Sequence, residues 1–415
     1  MIRSMVVIFA LFVSTAAAQQ EKPLRLEDIE KIALERNPTL LQASADIRAA
    51  QGLSRQAGLY PNPFIAVENP DLSFGPVIRG GEWGLVVQQD IVLGGKLGLS
   101  RQAAEQDVVK AQAQSEAQRL RVLTSVRGLF YQALAAQRKV EVRNRLVNLV
   151  REAVVTSRQL QNVGQADVPD VLEIEIEEQT AELALMSASN EQQQVWVQLA
   201  SAIGDPNLKM TPLEGDLENI PTFDTQQTLA RLLAESPEVK TANADIARAE
   251  FALRRAQREA VPDLSVRGGI HYNRELLEAN GRPIGRQGSI EVGIRLPLFN
   301  RNQGNVEAAR AGLDRAQRET ERVALSLRSR LAVALREFQD ARNIVEKYRE
   351  QMLPRARRAY ELYLAKFRQM AAAYPQALIA QRTLLQLQDD YDEALSDLWR
   401  RAAQVEGLLI ENGLD

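Results

Sequence analysis

The chain contains 415 residues, and its 51 basic side chains nearly balance its 54 acidic ones. No basic surface therefore points to nucleic acid, and the absence of cysteine excludes disulfides, thiolate metal sites and cysteine nucleophiles. A single histidine, His271, removes most zinc-site and histidine-base chemistry. We find no catalytic arrangement in the sequence and expect a protein that is not an enzyme and needs no cofactor.

The first residues have the pattern of a secretory signal peptide. Arg3 precedes an apolar run from Met5 to Val13, and Ala16-Ala17-Ala18 supplies a cleavage site. This run is shorter than the roughly 20 apolar residues that span a bilayer as a helix. We therefore expect a signal peptide over residues 1–18 and an exported mature chain over residues 19–415.

The first half of the mature chain predicts helices at both ends and two strands between them. Asn37-Pro38 marks a boundary in the first helical stretch, because the residue before a proline disfavours helix. The last helix of this half ends at Gly204-Asp205-Pro206. The predicted elements are a helical stretch over 26–57, strands over 64–69 and 82–93, a long helix over 97–161 and a helix over 167–203.

The long helix organises this half of the chain. Its apolar residues recur at alternating steps of three and four, which is the heptad pattern of a helix that packs along a partner helix. At ~1.5 Å per residue such a helix is roughly 100 Å long, far longer than a globular enzyme requires. Arg143 fills one polar position in this seam, whose apolar members are Val122, Val126, Leu129, Ala133, Ala136, Val140, Val147, Val150 and Val154.

The pattern then starts again, which indicates a duplicated half-molecule. Pro38 and Pro63 reappear 199 residues later, Leu93 and Lys96 correspond at 205 residues to Leu298 and Arg301, and Pro169 corresponds to Pro375 at 206. We expect two structural repeats, over about 24–206 and 225–412, joined by a linker over 207–224. The second long helix, over 303–368, repeats the heptad seam in phase.

That second long helix contains Pro354, which has no proline counterpart in the first repeat. Proline removes a helical hydrogen bond and clashes with the preceding turn, so we expect a kink there. The seam of this helix also contains one irregular step. Its members are Val323, Leu327, Leu331, Ala334, Phe338, Ala341 and Val345.

The four predicted strands alternate between apolar and polar residues in the manner of transmembrane β-strands. In the second repeat we expect alternation over 264–273 and 290–298, and a soluble sheet with one wet face is the alternative. An arginine that faced lipid would cost ~2–4 kcal/mol near the midplane, which favours a water-filled interior for the polar face. The predicted interior residues are Asp90, Arg267, His271, Glu291 and Arg295.

Four strands cannot close a barrel by themselves. Two chains would give eight strands, whose interior is filled by side chains, whereas three chains would give twelve and leave room for water. If the strands span a membrane and the protein conducts, a homotrimer is the smallest workable assembly.

The order of helices and strands, together with two short motifs, resembles the outer membrane factor (TolC) family. The motifs are Leu93-Gly94-Gly95-Lys96 after the second strand and the stretch from Pro297 to Gly304 after the fourth. The second motif is similar to the CzcC-like branch, which serves heavy-metal cation efflux. The resemblance covers the whole mature chain.

This resemblance implies a mainly α fold with a small β part. Each chain would contribute four transmembrane strands to a 12-stranded barrel in the outer membrane and its long helices to an α-barrel that crosses the periplasm. The trimer would be a passive export duct that receives its substrate, heavy-metal cations in this branch, from an inner-membrane RND pump through a periplasmic adaptor.

Other functions stay open at this point. A channel of this build would also suit drug or solvent efflux or type I protein secretion, and the long helices alone would suit a structural coiled-coil protein of the envelope. A soluble periplasmic binding module is a third class, although no cleft with convergent polar groups is visible. The carboxylates Glu173, Glu175, Glu177 and Glu178 are interpreted as a solvated helix face.

The far ends of the long helices are predicted to meet the adaptor or pump. Gly164 resembles the tip glycine of the family, and its repeat partner is Met370, so both are candidates for adaptor contact. Asp167 and Asp170 are candidates for a ring of charge around the periplasmic aperture. The alternative is helix capping, which the spacing of Asp170 and Glu173 favours for Asp170.

Overall fold

The computed structural model describes residues 23–69, 81–164, 167–276, 283–368 and 374–410. The signal-peptide prediction lies outside these ranges. Two runs of helix–helix–strand–strand–helix–helix follow one another along the chain. The first run consists of α1 (Leu26–Arg36), α2 (Pro38–Ala57), β1 (Phe64–Glu68), β2 (Glu82–Ile91), α3 (Lys96–Asn162) and α4 (Val168–Ile203).

The second run repeats this order with one interruption. Its long helix is divided by a π-helical turn at Tyr348–Met352, which separates α7 from α8. The elements of this run are α5 (Thr225–Glu235), α6 (Pro237–Arg258), β3 (Leu264–Leu276), β4 (Pro283–Ile294), α7 (Gln303–Lys347), α8 (Leu353–Arg368) and α9 (Tyr374–Glu406).

The heptad seams form the helical core. All seven predicted seam residues of α7 are buried, and they are the buried residues of that helix. In α3 the seam is buried except at Leu129 and Val140, which are half-buried. Phe130, which the heptad pattern misses, is 1% exposed and stands edge-on to Tyr131.

The boundary between α1 and α2 has a local cause that the sequence also indicates. The Asn37 side chain accepts a hydrogen bond from the Thr39 amide at 2.9 Å and so caps α2, which begins with Pro38. The same side chain donates to the Ala202 carbonyl at 2.7 Å. Asn37 is 1% exposed, so this buried contact ties the boundary between α1 and α2 to the C-terminal end of α4.

The linker between the repeats is part of the core. Leu217 is fully buried, and Leu213 forms a short bridge with Leu24. Two tryptophans hold the linker by donating from Nε1 to its carbonyls, Trp196 to Leu208 and Trp399 to Leu217, each at 2.9 Å. Trp196 belongs to the first repeat and Trp399 to the second, so these hydrogen bonds attach the linker to both repeats.

The four strands form one antiparallel sheet in the order β1-β2-β3-β4, so β1 and β4 are its edges. The register pairs Ile91 with Leu264 and Leu264 with Ile294. The predicted fourth strand is wrong at both ends. The sequence suggests pairing up to Leu298, but β4 runs from Pro283 to Ile294, because the chain leaves the sheet before Pro297.

Among the described residues, no helix is both long enough and apolar enough to cross a membrane.

Candidate functional site

The two faces of the sheet differ sharply in chemistry. One face carries large apolar side chains that are exposed in the single chain, with Ile290 at 85%. A soluble sheet would cover such a patch, since large contiguous apolar surfaces mark contact with a partner or a membrane. The exposed members are Ile65, Val67, Trp83, Leu85, Val87, Ile270, Tyr272, Ile290, Val292 and Ile294.

The opposite face carries charged and polar groups that pair with one another. Arg267 on β3 forms an ion pair with Glu68 on β1 and lies 4.0 Å, Nη1 to Oε2, from Glu291 on β4. Asp90 lies opposite Ser265 in the register and shares this face. Arg295 follows the last residue of β4 and is exposed, so the structure does not place it in the sheet.

His271 lies on the polar face in a pocket made by two glycines. A Cβ added at Gly84 would lie 2.1 Å from His271 Nδ1, and one added at Gly269 would lie 2.7 Å from its Nε2. The ring therefore occupies the space of two absent side chains and is 6% exposed. Its Nε2 is 2.8 Å from Ser289 Oγ, which holds the ring against β4.

The other ring nitrogen faces a carboxylate. His271 Nδ1 lies 3.6 Å from Glu82 Oε1 and makes no hydrogen bond. In the described part of the chain, no group of three or more histidine or acidic side chains is arranged to hold a metal ion. The arrangement fits a packed, hydrophilic wall better than a selective ligand site.

The helical tip contains three of the remaining candidates. Gly164 has a φ of +74°, which favours glycine, and its Cβ position is open. Asp167 is the N-cap residue of α4, and its side chain makes no capping hydrogen bond. Asp170 lies within the first turn, so the capping interpretation assigned the N-cap to the wrong aspartate. Both aspartates are exposed, and Met370 lies outside the described residues.

Glu177 corrects the interpretation of the acidic run on α4. The sequence suggests a solvated face, but Glu177 is 5% exposed and ion-paired with Arg382 of α9. The neighbouring Glu175 accepts from Arg158 Nε at 2.9 Å, so it is paired as well. Glu177 lies three residues after Ile174 and four before Ala181, which are both buried in α4. This heptad spacing could have indicated from the sequence that Glu177 is buried.

A second polar cluster, which includes the buried Asp392, joins α3, α9 and the linker. Arg143, the polar residue of the α3 seam, is ion-paired with Asp389. Arg138 Nη1 lies 3.3 Å from Glu218 Oε1 and 3.6 Å from Asp392 Oδ1. Burial raises the pKa of Asp392 to about 6, although Arg138 acts to lower it.

An amphipathic sheet joined to paired helices of this length is the build of an outer membrane channel. The chain belongs to the outer membrane efflux protein family, whose model matches residues 31–205 and 228–409. Each match covers most of one run of helices and strands. Its fold, mainly helical with one small antiparallel sheet, is that of the TolC-like efflux channels.

Individual relatives agree with this assignment. The chain is 26% identical to the cobalt-zinc-cadmium resistance protein CzcC of Cupriavidus metallidurans over 387 residues, which covers 93% of this chain and 90% of CzcC. The open-state outer membrane channel MtrE of Neisseria gonorrhoeae superimposes with a TM-score of 0.74 at 18% identity, covering 94% and 90% of the two chains. The outer membrane protein VceC of Vibrio cholerae gives 0.70 at 21%, covering 93% and 95%.

Proposed function

We propose that this protein is the outer membrane duct of a tripartite system that exports heavy-metal cations. Three copies form a channel whose strands close a 12-stranded barrel and whose helices extend into the periplasm. An inner-membrane RND pump delivers the cation, and a periplasmic adaptor joins the pump to the helical tips. The duct itself is passive and needs no cofactor.

The observation that carries this proposal is the distribution of side chains on the sheet, which is the reverse of that in a soluble protein. Its apolar face is exposed, whereas Val86 and His271 on its polar face are 4% and 6% exposed. Lipid is a suitable environment for the apolar face, and a water-filled interior is suitable for Arg267, Glu291 and their neighbours. The edge strands β1 and β4 carry unpaired backbone groups that only a neighbouring subunit can satisfy inside a membrane.

The cation substrate is inferred from the relative CzcC, whose name describes resistance to cobalt, zinc and cadmium. This chain offers no cysteine, one histidine and only scattered methionines, so its sequence provides no cluster of the soft ligands that select such ions. Substrate choice therefore belongs to the pump. Asp167 and Asp170 contribute at most an electrostatic preference for cations at the aperture, and Gly164 and Met370 mark the ends that the adaptor reaches.

A matched pair of strand variants tests the membrane orientation. Ile290→Arg places a guanidinium on the apolar face and should cost ~2–4 kcal/mol per subunit near the bilayer midplane, so outer membrane trimers should be lost. Gln287→Arg places the same group three residues earlier on the polar face and should leave trimers intact. Equal loss from both variants would contradict the orientation.

Substrate class needs a separate experiment. A deletion strain is grown on cobalt, zinc, cadmium, organic solvents and antibiotics, with the wild-type chain and Ile290→Arg restored as positive and negative controls. Sensitivity to metals alone supports the proposal. Sensitivity only to solvents or drugs, or failure of an exported protein to leave the cell, would reassign the same duct to drug efflux or type I secretion.

A further inference from the structure

The end of β2 meets the start of β3 in an ionic joint within the chain. Lys96 Nζ lies 3.0 Å from Asp263 Oδ1 and 3.9 Å from Glu259 Oε1. The Leu93 amide donates to the same Asp263 oxygen at 2.9 Å. The Lys96 side chain is only 5% exposed, so this joint is a closed contact between sheet and helix.

The same joint has a glycine at its closest approach. A Cβ added at Gly94 would lie 3.0 Å from Val261 Cβ, and Gly94 has a φ of +71°. The loop after β2 therefore lies flat against the segment before β3, without a side chain between them.

The repeat offsets identify the residues that are equivalent to this joint at the two edge strands of the sheet, β4 and β1. At 205 residues, Gly94 corresponds to Phe299 and Lys96 to Arg301, which both follow β4. At 199 residues, Glu259 corresponds to Tyr60 and Asp263 to Phe64, which stand before and at the start of β1. A lysine facing two carboxylates is thus replaced by an arginine and two aromatic rings.

All four of these edge residues are exposed in the single chain. Phe299 is 94% exposed, and Tyr60 and Phe64 are 63% and 64% exposed. Arg301 is exposed as well. Arginine stacks on aromatic faces far better than lysine does, whereas lysine suits carboxylates as a point charge. The replacements therefore match one another, although they lie about 240 residues apart in the sequence.

The loop that carries Phe299 is held in place. Asn302 adopts a left-handed φ of 64°, and its Nδ2 donates to the Ala256 carbonyl at 2.9 Å. The Arg301 amide donates to Gln303 Oε1 at 2.9 Å. Phe299, the most exposed aromatic ring among the described residues, is therefore presented on an ordered loop, which reduces the entropy lost when a partner covers it.

We propose that Phe299 and Arg301 of one subunit dock on Tyr60 and Phe64 of the next, forming an aromatic joint that closes the barrel where the sheet meets the helices. Antiparallel pairing of β4 with the neighbouring β1 brings these segments together, as pairing of β2 with β3 does within the chain. This inference rests on the trimer of the proposed function. It adds the residues that close the trimer and their chemistry.

The absence of native cysteine makes cross-linking a clean test. Tyr60→Cys with Phe299→Cys should give covalent dimers and trimers with a short bismaleimide, whereas either single variant should give none. Tyr60→Cys with Ile290→Cys is the control, because Ile290 is also highly exposed but lies within β4, four residues or about 13 Å before its end at Ile294 at ~3.3 Å per residue. Cross-linking of the control pair alone would overturn the joint.

Native mass in detergent separates this inference from the proposed function. A trimer in which the Tyr60–Phe299 pair does not cross-link overturns the joint and leaves the duct in place. A monomer or dimer overturns both. Lipid is the competing partner for Phe299. A nitroxide on Phe299→Cys that is as accessible to oxygen in liposomes as one on Ile290→Cys would assign the loop to the bilayer and overturn the joint.

Discussion

Replacing the buried Asp392 by asparagine should stabilise the protein near neutral pH. Burial raises the pKa of this carboxyl from its ordinary 3.8 to about 6, which means that the folded state disfavours the charged form. The difference corresponds to about 3 kcal/mol at pH 7. The substitution also gives up the ionic contact with Arg138, so we expect a net gain of about 1–3 kcal/mol, or a few degrees in thermal midpoint. Arg138 keeps Glu218 as a partner in the variant.

The raised pKa of Asp392 also determines how the stability of the folded state changes with pH. The folded state binds the proton of Asp392 more tightly than the unfolded state does, so this group lowers stability as pH rises from about 4 to 6. The advantage of Asp392→Asn should therefore grow over that range and disappear below it.

Asp397 on the same helix provides a control of opposite sign. Burial acts to raise the pKa of Asp397, but hydrogen bonds from Arg401 and Arg400 hold it below its ordinary value. Asp397→Asn should then destabilise the protein near neutral pH. Thermal melts of the detergent-solubilised protein by circular dichroism, between pH 4 and 8, measure both variants. A loss of stability from Asp392→Asn at pH 7 would refute the reasoning.

Four further substitutions test the sheet, the tip and the core. Gly84→Ala places a methyl group on the His271 ring and should lower the melting temperature of the trimer, and His271→Ala, which alone should leave export intact, should restore it. Asp167→Asn should reduce the cation preference of single channels in planar bilayers, whereas unchanged conductance and cation block would leave no gating role. Phe338→Ala removes a ring that is 3% exposed and should cost about 3–5 kcal/mol in thermal unfolding.

The helices could be predicted from the sequence because their packing has a period. Every seam residue of α7 is buried as the heptad pattern indicates, and α3 lies within one residue of its predicted ends at Leu97 and Gln161. The polar positions within the seams could not be predicted, because their partners come from other helices. Arg143 needs Asp389 from α9, which is 246 residues away.

The residues that share a face of the sheet could be predicted from the alternation, but the pocket around His271 and the end of β4 could not. Alternation places Arg267, His271 and Glu291 on one face, and the register confirms that they share it. The glycine pocket of His271 depends on Gly84 of a neighbouring strand, and no local pattern identifies which strand that is. The end of β4 was missed because Leu296 and Leu298 continue the alternation beyond the point where pairing stops.

The π-helical turn explains why the offset between the two repeats changes by one residue within the second long helix. The offset between the repeats is 205 residues from Leu298 to Val345 but 206 at Pro375, so one extra residue enters the second half between Val345 and Pro375. The turn at Tyr348–Met352 lies in this window, and the Leu353 amide donates to the Tyr348 carbonyl five residues earlier instead of four. A hydrogen bond of that span accommodates one additional residue in a turn. Pro354 follows directly and has no amide to continue the ladder. The additional residue and the proline are therefore both accommodated at this turn. The helices on either side of it, α7 and α8, both pack against α9.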